Sequence, residues 1–103
     1  VLDLASAHVR ALERLQPGEL LQVNLGSGIG TSVQEIVEQA RRVTGHPIPA
    51  DIVPRRPGDP PCLIANNQLA KSELGWQPVH SDITTILSTA WDWHHRHPRG
   101  YTP

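Results

Sequence analysis

The stretch 54–61 reads PRRPGDPP and brings two arginines and one aspartate close together. A guanidinium donates two parallel hydrogen bonds to a phosphate, and an ionised carboxylate accepts hydrogen bonds from hydroxyls such as those of a ribose. The prolines fix φ, and Gly58 permits a turn or a close approach of the backbone. Arg56 and Asp59 could therefore hold a nucleoside phosphate by both of its polar parts. The alternative interpretation is a proline-rich surface turn with a local ion pair.

A second candidate is a glycine turn that contains Gly26, Gly28 and Gly30. It follows a predicted strand and precedes a predicted helix, which is the context of a phosphate-binding loop. However, its spacing is G-x-G-x-G rather than G-x-G-x-x-G, and it lacks the lysine of a P-loop. No acidic residue follows at the distance expected of a dinucleotide site. These observations favour a structural tight turn, with a phosphate cradle as the alternative.

Three histidines lie close together near the end of the chain and could in principle bind a metal ion: His94, His95 and His97. Residues three apart share a helix face, but adjacent residues do not, and no cysteine accompanies the histidines. We therefore interpret them as solvated histidines at the end of a helix and predict no metal site. No Ser-His-Asp or Cys-His arrangement is recognisable either, so the sequence predicts no catalytic residue in this chain.

The bulk composition limits the classes of function. The 103 residues include 9 Lys and Arg against 10 Asp and Glu, and the net charge of −1 argues against a nucleic-acid-binding surface. No apolar run is long enough to cross a membrane, and no signal-peptide pattern opens the chain. The single Cys62 excludes an internal disulfide and fits a reducing compartment, so we expect a cytoplasmic location. The absence of methionine and the first residue, Val1, predict a fragment.

Hydrophobic periodicity and capping residues predict four helices. We expect them to begin at Asp3, at Ser32 with Glu35 in a capping box, at Asn66 or Asn67, and at Ser81 or Asp82. Trp76 should fill the join between the third helix and the rest of the chain. Short apolar runs predict strands at about 19–25, 51–53 and 62–65. The order of elements predicts a small α/β domain with a short, partly parallel sheet and about four helices.

Several stretches, in this order, resemble the C-terminal part of the UDP-glucose 4-epimerase (UDP-galactose 4-epimerase) family of extended short-chain dehydrogenases. They are Asp3-Leu4-Ala5 with Ala7-His8, Val23-Asn24-Leu25-Gly26 with Gly28 and Ser32, the loop 54–60, Ala70, Glu73-Leu74-Gly75-Trp76, Trp91-Asp92-Trp93, and His97-Pro98-Arg99-Gly100-Tyr101. The resemblance implies that residues 1–103 are a C-terminal UDP-sugar-binding domain fragment. It also implies that the N-terminal NAD-binding Rossmann domain and the catalytic Tyr and Lys are absent.

The resemblance assigns roles to three residues of this chain. Arg56 would contact the diphosphate and Asp59 the ribose hydroxyls, while Leu63 stands where the family carries a residue that helps to set the width of the sugar pocket. The resemblance further implies that the complete enzyme interconverts UDP-glucose and UDP-galactose with NAD. The fragment would bind the UDP-sugar, bind no NAD itself and be inactive alone.

Two alternative functions stay open at this point. One is another sugar-nucleotide epimerase of the superfamily. The other is a stand-alone interaction module, in which an apolar face left uncovered by the missing Rossmann domain mediates self-association. A homo-oligomer is compatible with either, and we expect no nucleic-acid or membrane partner.

Overall fold

The chain forms two compact units in a computed structural model that describes residues 1–101. The first unit comprises residues 1–30 and 61–81, and the second comprises residues 31–60 and the chain from residue 82 onward. The first contains helices α1 (Leu2–Arg14) and α3 (Gln68–Leu74), and the second contains α2 (Val33–Thr44) and α4 (Ile83–Arg96). None of the helices in the described residues is long and apolar enough to cross a membrane.

The core of the first unit lies where α1 meets α3 and is centred on Trp76, which is only 2% exposed. Ala7, Ala70 and Leu74 are the other buried apolar residues of this core. The indole Nε1–H of Trp76 donates a hydrogen bond to the backbone carbonyl of Asp3 at 2.8 Å. The prediction that Trp76 fills the join between α3 and the rest of the chain is therefore confirmed within this unit.

Asp3 ties the beginning of α1 to the end of the first unit. Its side chain is 6% exposed, and its carboxylate accepts hydrogen bonds from the N–H groups of Val79 (3.0 Å) and His80 (2.9 Å). The hydroxyl of Ser81 donates a third bond at 2.5 Å. The prediction that Asp3 caps α1 is wrong, because the helix begins one residue earlier and the carboxylate turns away to these distant donors.

The second unit follows the predicted caps closely. The hydroxyl of Ser32 accepts from the N–H of Glu35 at 3.2 Å, and the Glu35 carboxylate accepts from the N–H of Ser32 at 2.7 Å, so the capping box at α2 is confirmed. Gly45 ends this helix at φ +70°, in the left-handed region. The Asp82 carboxylate caps α4 by accepting from the N–H of Thr85 at 2.9 Å.

Helices α2 and α4 pack against each other, and neither contains a fully buried residue. Their half-buried apolar side chains are Val37, Ala40, Val43, Ile83, Leu87, Trp91 and Trp93. The core of this unit is therefore thin, and its helices depend heavily on their caps.

No β-strand is present among residues 1–101, so the predicted sheet is not observed. The segment 19–25 does show the alternation of a strand: Leu21, Val23 and Leu25 are half-buried against the core of the first unit, and the residues between them are exposed. A strand also needs a neighbouring backbone to complete its hydrogen bonds, and the described residues do not supply one.

The carboxylate of Asp3 makes the stability of the chain depend on pH. Burial favours the neutral form of this carboxyl, but the hydrogen bonds from Ser81, Val79 and His80 outweigh burial and hold its pKa below the ordinary value. Because the pKa is lower in the folded state, the stabilisation is complete above the unfolded-state pKa. It is lost as the pH falls through the folded-state pKa.

We expect Asp3→Asn to lower the free energy of unfolding by about 2 kcal/mol at neutral pH, because it places an amide among donors that need an acceptor. The difference between wild type and variant should shrink as the pH falls below the ordinary aspartate pKa of about 4 and then through the lower pKa of the folded state, where the wild-type carboxyl becomes protonated. Urea denaturation at neutral and acidic pH measures both effects. Glu13→Gln, at an exposed position of α1, is the matched control. A difference that stays constant on acidification would contradict the assignment.

Candidate functional site

The loop that carries Arg56 and Asp59 is exposed and closed by its own hydrogen bonds. The backbone N–H of Asp59 donates to the carbonyl of Arg56 at 3.3 Å, and Gly58 takes φ +88° inside the turn. The guanidinium Nε–H of Arg56 donates to Oδ2 of Asp59 at 3.0 Å. The side chains are 84% and 47% exposed, so water reaches both members of this ion pair.

The structure thus brings Arg56 and Asp59 together, and it does so as the ion pair of the alternative interpretation. Only one edge of each side chain is engaged. Within residues 1–101, both Nη groups of Arg56 and the Oδ1 atom of Asp59 have no hydrogen-bond partner. The pair therefore keeps donors for an oxyanion and an acceptor for a hydroxyl group while it is closed.

The other two residues singled out by the sequence lie on either side of this pair in the chain. Arg55 is exposed and has no hydrogen-bond or ion-pair partner among the described residues. Leu63 lies in the first unit, in an extended segment that precedes α3, and is 88% exposed. The described residues alone give Leu63 no packing partner that would define a pocket wall.

The glycine turn is explained by close packing inside the first unit. A Cβ atom on Gly26 would lie 2.7 Å from the Cβ of Ala65, and one on Gly30 would lie 2.7 Å from Cδ1 of Ile64. Real Cβ atoms essentially never approach this closely, so a side chain at position 26 would force the short, rigid Ala65 to move, whereas at position 30 the flexible end of Ile64 could rotate away. The side-chain amide of Asn67 also donates to the carbonyl of Gly26 at 2.7 Å. The turn therefore presses against residues 64–67, which supports the structural interpretation and does not fit a dinucleotide cradle.

A small hollow beside this turn was not predicted from the sequence. It has a volume of about 180 Å³ and is lined by Ser27, Asn67, Lys71, Trp76, Gln77 and Pro78. These residues come from three separate segments, so no local sequence pattern signals the hollow. Its lining is mixed in polarity, with Lys71 as the one charged residue.

The histidines near the end of α4 pack against tryptophans. The ring of His97 stacks on Trp93, with centroids 5.1 Å apart, and His94 meets the same indole edge-on at 4.9 Å. His95 lies beside Trp91 at 5.5 Å. Within residues 1–101, no group of three or more His, Cys, Asp or Glu side chains is arranged to hold a metal ion.

Comparison with known sequences identifies relatives over nearly the whole chain. The chain is 50% identical over 103 residues to the UDP-glucose 4-epimerase of Halalkalibacterium halodurans and 57% identical over 91 residues to that of Corynebacterium glutamicum. These alignments cover 99% and 88% of this chain but only 31% and 28% of the relatives. The chain thus spans about 30% of the length of the curated relatives it matches. No model of a known protein family matches it.

Solved structures give the same result for the fold. The UDP-glucose 4-epimerase of Bifidobacterium longum, in complex with NAD+ and UDP, matches 97% of the chain with a TM-score of 0.82 and 35% identity, over 30% of its own length. The enzyme of Stenotrophomonas maltophila, with bound NAD and formylated UDP-arabinopyranose, matches 94% with a TM-score of 0.81 and 41% identity, over 29% of its length. The chain is a homologue of UDP-glucose 4-epimerases and matches the C-terminal part of their length.

The close approach at the glycine turn gives a test of its structural role. We expect Gly26→Ala to lower the free energy of unfolding by about 1–3 kcal/mol, because the new methyl group overlaps the Cβ of Ala65. Adding Ala65→Gly should recover part of this loss. Urea denaturation of the two single variants and the double variant measures the coupling energy. Additive losses would show that the contact between the two residues is not the reason for glycine at position 26.

Proposed function

We propose that this chain is the UDP-sugar-binding part of a UDP-glucose 4-epimerase that interconverts UDP-glucose and UDP-galactose. The observation that carries the proposal is the arginine–aspartate pair of one exposed turn, Arg56 and Asp59. The pair occurs in a chain whose structural neighbours include an epimerase in complex with UDP. In our proposal Arg56 binds the diphosphate, Asp59 binds the ribose, and Leu63 borders the sugar.

The chemistry of the pair supports these roles. The unengaged Nη groups of Arg56 can donate to phosphate oxygens, and a carboxylate can only accept, which suits the hydroxyls of a ribose. Rotation of either side chain out of the ion pair costs little at an exposed site, so Nε of Arg56 and Oδ2 of Asp59 can also change partners. The nucleotide is then held firmly at a distance from the reacting sugar. Binding energy at such a remote group can position the sugar for the reaction.

We assign the cofactor and the catalytic groups to sequence outside this chain. The NAD site and the catalytic residues would belong to an N-terminal Rossmann domain, and residues 1–103 to a C-terminal UDP-sugar-binding domain that is inactive alone. The chain's own glycine turn does not fit NAD, because residues 64–67 already lie against its glycines, where a bound dinucleotide would have to approach. The alternating segment 19–25 would find its missing sheet partner in that Rossmann domain.

The comparisons support this activity over that of another sugar-nucleotide epimerase. Eight curated relatives that are 44–57% identical to the chain are named UDP-glucose 4-epimerase. Three solved structures that match the chain carry the same name.

A chimeric enzyme tests the activity and the role of Arg56 together. The matching C-terminal segment of the Halalkalibacterium halodurans relative is replaced by this chain, and conversion of UDP-galactose to UDP-glucose is measured. We expect the chimera to be active and the chain alone to be inactive. Arg56→Ala in the chimera should lower kcat/KM about 10- to 100-fold, because a charged contact to the diphosphate is lost.

Arg42→Ala is the matched control in the chimera, because Arg42 is an exposed arginine of α2 without an ion-pair partner among the described residues. It should leave kcat/KM unchanged. A folded but inactive chimera would contradict the proposed activity. Equal effects of the Arg56 and Arg42 substitutions would remove the phosphate role of Arg56.

The second candidate function, self-association, is favoured by one observation on α1. Leu2, Val9 and Leu12 are 55%, 55% and 78% exposed and follow helical spacing, so they form an apolar stripe on the solvent side of the helix. In this case the isolated chain should form dimers with rising concentration, and Leu12→Gln should weaken them. Leu20→Gln, at an exposed leucine outside the stripe, is the control. Sedimentation equilibrium measures the outcome, and a monomer at all concentrations rejects this function.

A further inference from the structure

Arg41 holds one backbone carbonyl group with two of its N–H groups. Its Nε–H donates to the carbonyl oxygen of Ile48 at 3.1 Å, and its Nη2–H donates to the same atom at 2.7 Å. A carbonyl oxygen has two lone pairs, so it can accept both of these charge-assisted hydrogen bonds. Arg41 lies near the end of α2, where its own carbonyl accepts the N–H of Gly45 at 3.0 Å. Its side chain therefore ties the segment that follows α2 back to the helix.

Ile48 is the last residue of the second unit to be packed before the loop 54–60. It is half-buried, whereas every residue from 49 to 60 is exposed. In the part of the chain that the structure describes, residues 49–60 form hydrogen bonds and ion pairs only among themselves, and these join Arg56 to Asp59. The two bonds from Arg41 are therefore the attachment of the second unit that lies nearest to the loop along the chain.

Prolines restrict the segment between this attachment and the loop. Pro47 and Pro49 flank Ile48, and Pro54 stands where the loop begins. Each proline fixes its own φ and keeps the preceding residue extended. A segment restricted in this way transmits the direction of its fixed end over several residues, unlike a glycine-rich linker. The position of the Ile48 carbonyl therefore limits where Arg56 can lie relative to α2.

We infer that Arg41 is a positioning residue for the UDP-sugar, which acts through Ile48 rather than on the ligand itself. The inference rests on the proposed function, in which the loop 54–60 binds the nucleotide. By holding the carbonyl of Ile48, Arg41 limits the conformations of the loop before the nucleotide binds. Without these bonds the loop has more conformations to lose on binding, so the affinity for the nucleotide falls.

The cost of losing Arg41 falls on binding and not on the chemical step. Once the nucleotide is bound, the loop is ordered with or without Arg41, so the substrate complex and the transition state are affected equally. A loss of this kind raises KM and leaves kcat unchanged. A general loss of stability has a different effect, because it leaves part of the enzyme unfolded. The apparent kcat then falls, while the KM of the folded part is unchanged.

The test uses the active chimera described above, with UDP-galactose as the substrate and UDP as an inhibitor. We expect Arg41→Ala to raise both KM and the inhibition constant of UDP about two- to tenfold at unchanged kcat, the range of one exposed hydrogen-bonded contact. Arg41→Lys keeps a charged donor for the Ile48 carbonyl and should recover part of the affinity. In an Arg56→Ala background, Arg41→Ala should lose most of its effect, because the group that it positions is gone.

Arg42→Ala is the matched control, because it removes the same charge one residue further along α2. Arg42 is exposed and has no ion-pair partner among the described residues, so the variant should leave KM and the inhibition constant of UDP unchanged. An equal rise with Arg42→Ala would assign the effect to lost attraction between positive charge and the diphosphate. A lower kcat at constant KM with Arg41→Ala would assign a purely structural role. Either result overturns the inference.

The outcomes also separate this inference from the proposed function. If the chimera is inactive, or if Arg56→Ala leaves kcat/KM unchanged, the proposed function fails and the inference fails with it. If Arg56→Ala lowers kcat/KM while Arg41→Ala behaves like Arg42→Ala, the proposed function stands and only the role of Arg41 is rejected. Urea denaturation of each variant measures the folded fraction under the assay conditions, so that kcat is calculated for folded enzyme.

Discussion

One buried carboxylate, that of Asp3, holds the first unit together. Three donors from residues 79–81 converge on it, and the indole of Trp76 binds the carbonyl of the same residue. Only four apolar residues of this unit are buried, so its core supplies limited hydrophobic stabilisation. The hydrogen bonds to the Asp3 carboxylate fix how the segments around that small core are oriented. Losing any one of the donors would leave the buried charge poorly solvated. The position of α1 against α3 therefore depends on a polar contact as much as on packing.

The sequence predicted the features whose causes are local. The capping box of Ser32 and Glu35 and the Asp82 cap each involve residues a few positions apart, and both occur in the structure. The role of Asp3 could not be predicted, because its donors lie more than 70 residues away along the chain. The strand at 19–25 was predicted from an alternation that the structure does contain, but a strand also needs a second backbone, and side-chain pattern says nothing about where that backbone lies.

The candidate site was predictable in its chemistry and less so in its geometry. Residue types identified Arg56 and Asp59 as a pair suited to a phosphate and a hydroxyl group, and they also allowed a local ion pair. The free energies of these alternatives in an exposed turn are close, so composition and spacing could not choose between them. For the glycine turn, the sequence indicated the right interpretation but not its physical cause. Its spacing already argued against a dinucleotide site, but the reason for Gly26 became visible only when Ala65 was found against it.

An ion pair that closes on itself is compatible with a binding site when its exposure and its backbone are both considered. A buried pair would be costly to break, because each charge would lose its only compensation in a poorly solvated place. The exposed pair of Arg56 and Asp59 opens at small cost, since water can solvate each side chain during the exchange. The prolines around it and the turn at Gly58 restrict the backbone, so opening needs rotation of side chains rather than refolding of the loop. A loop of this kind keeps a guanidinium and a carboxylate close together while leaving both able to change partners.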